Sequence, residues 1–197
     1  MVSNFPGTTV EMTHADMRFE DRQWTVFDTP GVVAMPPRTE DEMVTRDALL
    51  KYKPQVMIQV ADAKDLARSL HLTLELSEYC IPMILALNMT DEAESRGITI
   101  DTERLSSLLG IPVVKTIAVS GEGIGTLRAK ITQARIPRTK LRYDSSVEKI
   151  LDETADLLGL ADKPLGLLGP VSLFMNDAGA EPYLEAAAGK QAAENAK

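Results

Sequence analysis

Asn88-Met89-Thr90-Asp91 follows directly on the apolar run at residues 82–87. At the end of a buried strand, this spacing sets an amide and a carboxylate on one rim. A carboxylate at Asp91 can accept two N–H bonds from the Watson–Crick edge of guanine, which adenine does not offer. Asn88 can contact the base and tie neighbouring loops, or act as an ordinary helix N-cap. A second segment, Asp28-Thr29-Pro30-Gly31, follows the alternating run at residues 23–27. An aspartate there can hold magnesium through water. A glycine three positions on lets a backbone N–H approach a terminal phosphate with no Cβ between them. Read alone, the same four residues are also a plain turn of Asp, Pro and Gly. The third segment is Thr116-Ile117-Ala118, followed by Gly121-Glu122-Gly123, where a small residue lets a backbone N–H reach the guanine oxygen. In the fourth, Pro6-Gly7-Thr8-Thr9-Val10-Glu11, a hydroxyl of Thr8 or Thr9 can coordinate magnesium.

These segments form one site only if strands deliver them to a common edge, because ligands of an open α/β sheet bind beyond the carboxyl ends of its strands. The pattern supplies such strands. Residues 10–19 and 23–27 alternate apolar and polar side chains around Glu20-Asp21-Arg22, which predicts an antiparallel hairpin. Residues 55–61, 82–87 and 111–117 are short apolar runs, as expected of strands covered on both faces. Helices are expected over residues 40–52 (capped by Thr39, with Met43, Ala48, Leu49 and Leu50 inward), 63–79, 89–95, 101–110 and 123–134. A polar hairpin followed by alternating strands and helices gives an α/β domain with a mostly parallel sheet. A boundary falls at residues 136–140. It separates an α/β domain over 1–136 from a small helical region over 137–197, with helices at 146–158 and 181–193 and a fraying Ala-rich tail. The basic run Arg135, Arg138, Lys140 and Arg142 reads as a solvated linker rather than a phosphate site.

Composition narrows the function. The 197 residues carry 29 acidic side chains against 21 Lys and Arg, a formal net charge of −8, with 44% hydrophobic residues. The apolar fraction excludes a disordered acidic tail. The charge disfavours a general nucleic-acid binder, which needs a basic surface. No run approaches the roughly 18 apolar residues that a membrane-spanning helix needs. The first residues lack the basic start and apolar core of a secretory signal. One cysteine, Cys80, excludes an internal disulfide, fits a reducing cytosol and reads as a small buried hydrophobe. His14 and His71 lie too far apart in sequence to suggest a zinc cluster.

The ordered set of Thr, Asp-x-x-Gly, Asn-x-x-Asp and Ala resembles the guanine-nucleotide signature of the Ras-like GTPases. Longer stretches resemble one branch of them. VSNFPGTTVE, DTPG, EDEMVTRDALL, VADAKDL, LTLELSEYCIPMILALNMTDEAESRGITID and LSSLLGIPVV are similar to the cytosolic G domain of FeoB-type ferrous-iron transporters. The resemblance implies a Ras-like fold that binds GTP or GDP with Mg²⁺. It makes Thr9 the switch threonine, and Asp28 with Gly31 the pair sensing magnesium and γ-phosphate, with Thr29 and Pro30 between them. Asn88 and Asp91 become the guanine-specificity pair flanking Met89, and Thr116 and Ala118 the last loop against the base. It further implies that residues 137–197 correspond to a helical domain that slows nucleotide release. The implied partner is a membrane iron permease on another polypeptide or a region outside this sequence, with the domain cytoplasmic at the inner face of the plasma membrane.

The sequence departs from that family in one motif. No Gly in these residues begins a G-x-x-x-x-G-K-[ST] loop; Gly189-Lys190 has Leu184 where the first Gly would stand. That loop supplies the N–H cradle and the lysine that grip phosphate. The family's first strand, P-loop and first helix are therefore expected to be missing ahead of residue 1, leaving part of the sheet uncovered. Val32 and Val33 follow Gly31, so no Gln or His there is placed to orient an attacking water. Two functions remain open: a guanine-nucleotide switch whose GTP hydrolysis gates iron uptake, and a non-catalytic regulatory module that has lost phosphate binding.

Overall fold

The computed structural model describes residues 2–4, 12–19, 21–35, 37–139, 141–159, 171, 177–189 and 192. Two three-stranded sheets organise them. In the first, β1 (Val2–Asn4), β2 (Thr13–Phe19) and β3 (Arg22–Asp28) are antiparallel, and the β2–β3 ladder runs from Phe19↔Arg22 to Thr13↔Asp28. The expected hairpin is thus present, extended by a short strand that the sequence reading does not contain. Asp21 takes the left-handed turn position, at φ +56°.

The second sheet is parallel, in the order β4 (Met57–Asp62), β5 (Met83–Asn88), β6 (Val113–Lys115). Met83, Ile84, Leu85, Ala86 and Leu87 are all at most 1% exposed, which explains the unbroken apolar run: β5 is central and covered on both faces. One face packs Ala61, Met83, Leu85, Leu87 and Val113 against α1 (Glu40–Tyr52), α2 (Leu66–Ser77) and α4 (Thr102–Leu109). The other packs Ile84 and Val114 against Leu127 of α5 (Ile124–Ala129), Ile131 just beyond it and Trp24 of β3. α3 (Thr90–Ser95) leads out of β5. On the second face Ile58 and Val60 of β4 stay open, at 40% and 68% exposure, beside the covered Ile84 and Ala86.

Several boundaries differ from expectation. The helix read over 63–79 begins as a 3₁₀ turn, Ala63–Asp65, because the Asp62 carboxylate accepts the Lys64 N–H at 2.9 Å before α2 starts. The helix read over 123–134 likewise ends in a separate 3₁₀ turn, Ile131–Gln133. Met43 is turned outward, and the inward side of α1 includes Glu42, Thr45 and Arg46 beside Ala48, Leu49 and Leu50. Cys80 is half-buried at φ +51°, a turn residue rather than a core one. Beyond residue 137, α6 (Ser145–Leu157) and α7 (Glu181–Ala188) are described. Ala180, just ahead of α7, joins the same core cluster as Leu49 and Leu76.

Candidate functional site

Parallel strands place their carboxyl ends on one edge, and β5 and β6 carry the Asn88 and Thr116 segments there. Asn88 Oδ1 accepts the Ala118 N–H at 3.0 Å and lies 3.3 Å from the Thr116 hydroxyl. Thr116 is 4% exposed; its N–H donates to the Leu87 carbonyl at 2.7 Å, and its own carbonyl accepts the Thr90 hydroxyl at 3.3 Å. The two loops are therefore laced together by the residues singled out in the sequence. Gly123 completes the lacing. At φ +78°, a Cβ there would stand 2.1 Å from the Lys115 carbonyl, so only glycine lets this turn close on β6.

Asp91 sits in the first turn of α3, where its charge complements the helix dipole. It is exposed, and no partner among the described residues occupies its carboxylate. Met89 precedes it in the left-handed region, at φ +60° and 39% exposed, and Val119 stands 97% exposed on the opposite loop. The rim thus has a free carboxylate, an amide held by its oxygen with its NH₂ left over, and two exposed apolar side chains. In this state the Ala118 N–H is engaged with Asn88 rather than free.

Asp28 ends β3 and is exposed, again without a partner among the described residues. Thr29 and Pro30 are half-buried. Gly31 has open space where a Cβ would stand, so packing within the chain does not require glycine there. Thr8 and Thr9 lie outside the described residues. No group of three or more His, Cys, Asp or Glu gathers among the described residues. A lone strand-end carboxylate still suits Mg²⁺, which takes one or two protein carboxylates and completes its shell with water and phosphate oxygens.

Sequence reasoning missed what holds the chain after Gly31. Glu42 is 4% exposed and accepts four backbone N–H bonds: Val33 and Ala34 on one oxygen at 3.3 and 3.1 Å, Arg38 and Thr39 on the other at 2.8 and 3.1 Å. Burial would raise its pKa, yet the four donors hold it below the ordinary carboxylate value. Glu75 takes the Met35 N–H at 2.8 Å, and the Thr45 hydroxyl reaches the Pro30 carbonyl at 3.5 Å. The legible signal was Thr39-x-x-Glu42, a capping box whose two hydrogen bonds are both formed. Lys64 was also missed. Its Nζ donates to Glu92 at 2.7 Å and lies 3.1 Å from Met89 Sδ, bracing the Asn88–Asp91 loop from the end of β4.

A parallel sheet whose edge joins Asn-x-x-Asp to Thr-x-Ala, next to a hairpin ending in Asp-x-x-Gly, is the Ras-like G-domain fold. Residues 1–131 match the family model described as ferrous iron transport protein B, and the chain belongs to that family. Among curated relatives, it is 36% identical over 158 residues to an Fe(2+) transport protein A/Fe(2+) transporter FeoB fusion protein of Porphyromonas gingivalis. It is 41% identical over 121 residues to the Fe(2+) transporter FeoB of Helicobacter pylori. Those alignments cover 77% and 61% of this chain but 19% of each relative, so the chain spans about a fifth of their length. Among solved structures, the apo cytosolic domain of the T. maritima FeoB iron transporter superposes with a TM-score of 0.78 at 30% identity, covering 100% of this chain and 87% of that one. The L. pneumophila FeoB cytosolic domain gives 0.77 at 30% identity, covering 100% and 86%. The T. maritima domain was also solved in GDP and GMPPNP forms.

Proposed function

We propose that this chain binds guanine nucleotide and acts as the regulatory G domain of a ferrous-iron transport system. The observation that carries this reading is the base end: Asn88 Oδ1 locking the Thr116–Ala118 loop, beside an Asp91 carboxylate without a partner among the described residues. Asp91 accepts the N1–H and exocyclic amine of guanine, and the leftover NH₂ of Asn88 donates to the base. The Ala118 N–H, shared with Asn88, faces the guanine oxygen, and Met89 covers one face of the ring. The T. maritima neighbour crystallised with GDP and GMPPNP supports the same ligand class.

At the phosphate end, Asp28 and Thr9 hold Mg²⁺, and Gly31 offers its N–H to the terminal phosphate. The bound ion neutralises phosphate charge. This chain's own residues confine the nucleotide and tie the segment after Gly31 to α1 through Glu42. Residues 137–197 then act on nucleotide release, and the domain works in the cytosol beside a membrane permease. That permease would lie on another polypeptide or in a region outside this sequence. Among the described residues, no helix is long and apolar enough to cross a membrane. The second reading, a module that has lost phosphate binding, applies to a protein with no G-x-x-x-x-G-K-[ST] loop anywhere; none occurs in these residues.

Titration with a fluorescent GDP analogue separates the two. The switch reading expects saturable micromolar binding that Asp91→Asn weakens roughly hundredfold, by removing two charge-assisted hydrogen bonds. The same variant should improve binding of xanthosine diphosphate, whose C2 carbonyl accepts from the new amide. Absence of saturable binding by the wild type leaves the module reading. Binding indifferent to Asp91→Asn rejects the assigned base site.

A further inference from the structure

The basic run at the end of the α/β domain is not a free linker. Pro137 is buried, the Arg138 N–H donates to the Leu109 carbonyl at 2.9 Å, and the Thr139 hydroxyl donates to the Leu108 carbonyl at 2.8 Å. Upstream, the Arg135 carbonyl accepts the Met83 N–H at 2.9 Å. These bonds fold residues 135–139 back between the start of β5 and the end of α4. Between them lies a cleft of about 790 Å³, whose lining includes Ser106, Ser107, Gly110, Lys130, Arg135 and Arg138. The size falls within the range of ordinary small-ligand sites.

Its cations are set in place by the backbone. Lys130 caps the end of α5, Arg135 is held by its bridge to β5, and the stem of Arg138 lies across Gly110. A Cβ on Gly110 would stand 2.5 Å from Arg138 Cγ, so glycine leaves the room that this stem fills. Among the described residues none of the three cations has a carboxylate within salt-bridge distance, although Glu103 also lines the cleft and the chain carries a net charge of −8. Three cations with no carboxylate partner among the described residues, gathered beside the Ser107 hydroxyl, oppose the chain's overall charge; the Ser106 hydroxyl is spent on the Ile111 carbonyl at 2.6 Å. They match what a phosphate group needs: guanidinium forks, an ammonium and a neutral donor. The cleft opens at the amino end of β6, whereas the Asn88–Thr116 rim lies at its carboxyl end.

We propose that this cleft is an anion site for a phosphate group, separate from the nucleotide site and independent of it. Such a group comes either on a soluble phosphate compound or on an anionic lipid headgroup. The test is a titration of the chain with inorganic phosphate, followed by amide chemical shifts, alongside sedimentation with phosphatidylglycerol vesicles and phosphatidylcholine controls. Saturable shifts at Ser107, Gly110, Lys130 and Arg138, weakened roughly tenfold for each of Arg135→Gln and Arg138→Gln, identify a soluble ligand. Sedimentation with phosphatidylglycerol alone, lost in the same exposed-site variants, identifies the lipid source. No saturable binding to either probe, or binding unchanged in the double variant, overturns the site. The thermal midpoint of each variant, expected within a degree or two of wild type, shows that loss of binding is not loss of fold.

Discussion

Glu42 shows how one side chain can set the shape of a segment nearly as long as the site itself. Four amides between Val33 and Thr39 converge on its two oxygens, so the chain after Gly31 owes most of its course to this one buried carboxylate, with Glu75 adding the Met35 N–H. Those four donors hold the folded pKa of Glu42 below the unfolded value of roughly 4.3. A depressed carboxylate pKa adds stability that is fully present above the unfolded value and is lost as pH falls through the folded one. Urea midpoints should therefore be flat from neutral pH downward and then fall as the pH drops below about 4. Glu42→Gln keeps one accepting oxygen and loses the charge. It is expected to cost about 2 kcal/mol at pH 7 and to shrink the acid decline. An acid decline of undiminished size in the variant would assign it to other carboxylates.

One helical turn beyond Glu42, α1 makes its second ionic tie. Arg46 is 4% exposed, and its guanidinium bonds Asp177 and, at 2.8 Å, Asp47, with Gly179 lying directly against it. Burial works against its charge, but the two carboxylates more than compensate and raise its pKa. The helix that fixes the segment after Gly31 thus also anchors the chain just ahead of α7. Tyr143 reports a second contact: burial, with the charges of Glu78 and Glu75 nearby, pushes its phenol up to about 12. Removing one partner of a buried pair leaves the other charge uncompensated, which typically costs about 3–5 kcal/mol. Asp177→Ala should land near the lower figure, because Asp47 remains. In amide hydrogen exchange, α7 should lose protection well before β5 does. Equal loss in both elements would show that the pair stabilises the whole chain rather than docking its C-terminal part.

What was readable in the sequence was what is local. The unbroken apolar run of β5 and the loops at strand ends announced a parallel sheet and the edge on which the candidate residues gather. Asn88, Thr116 and Ala118 meet there as their spacing implied. The inward Glu42 and Arg46 break the helical hydrophobic pattern, which hides them from a periodicity reading. Glu42 left a local sign in its capping box with Thr39, whereas the reason for Arg46 lies at Asp177, 131 positions away. Element ends were blurred too, since caps such as Asp62 compete with propensity at single residues. The sheet's second face shows a further feature that composition hides. Ile58 pairs with Ile84 and Val60 with Ala86, so all four share a face, yet Ile84 is fully buried while Val60 is 68% exposed. Similar apolar side chains on adjacent strands should then differ sharply in energetic weight. Ile84→Ala removes buried methyls and opens a cavity, at a cost of about 3 kcal/mol. Val60→Thr exchanges a methyl already in water for a hydroxyl, and is expected to stay within about 0.5 kcal/mol. Urea denaturation of the two variants measures the contrast. A Val60→Thr cost approaching that of Ile84→Ala would mean that β4 is covered in solution, and the open half of this face would then be an interface.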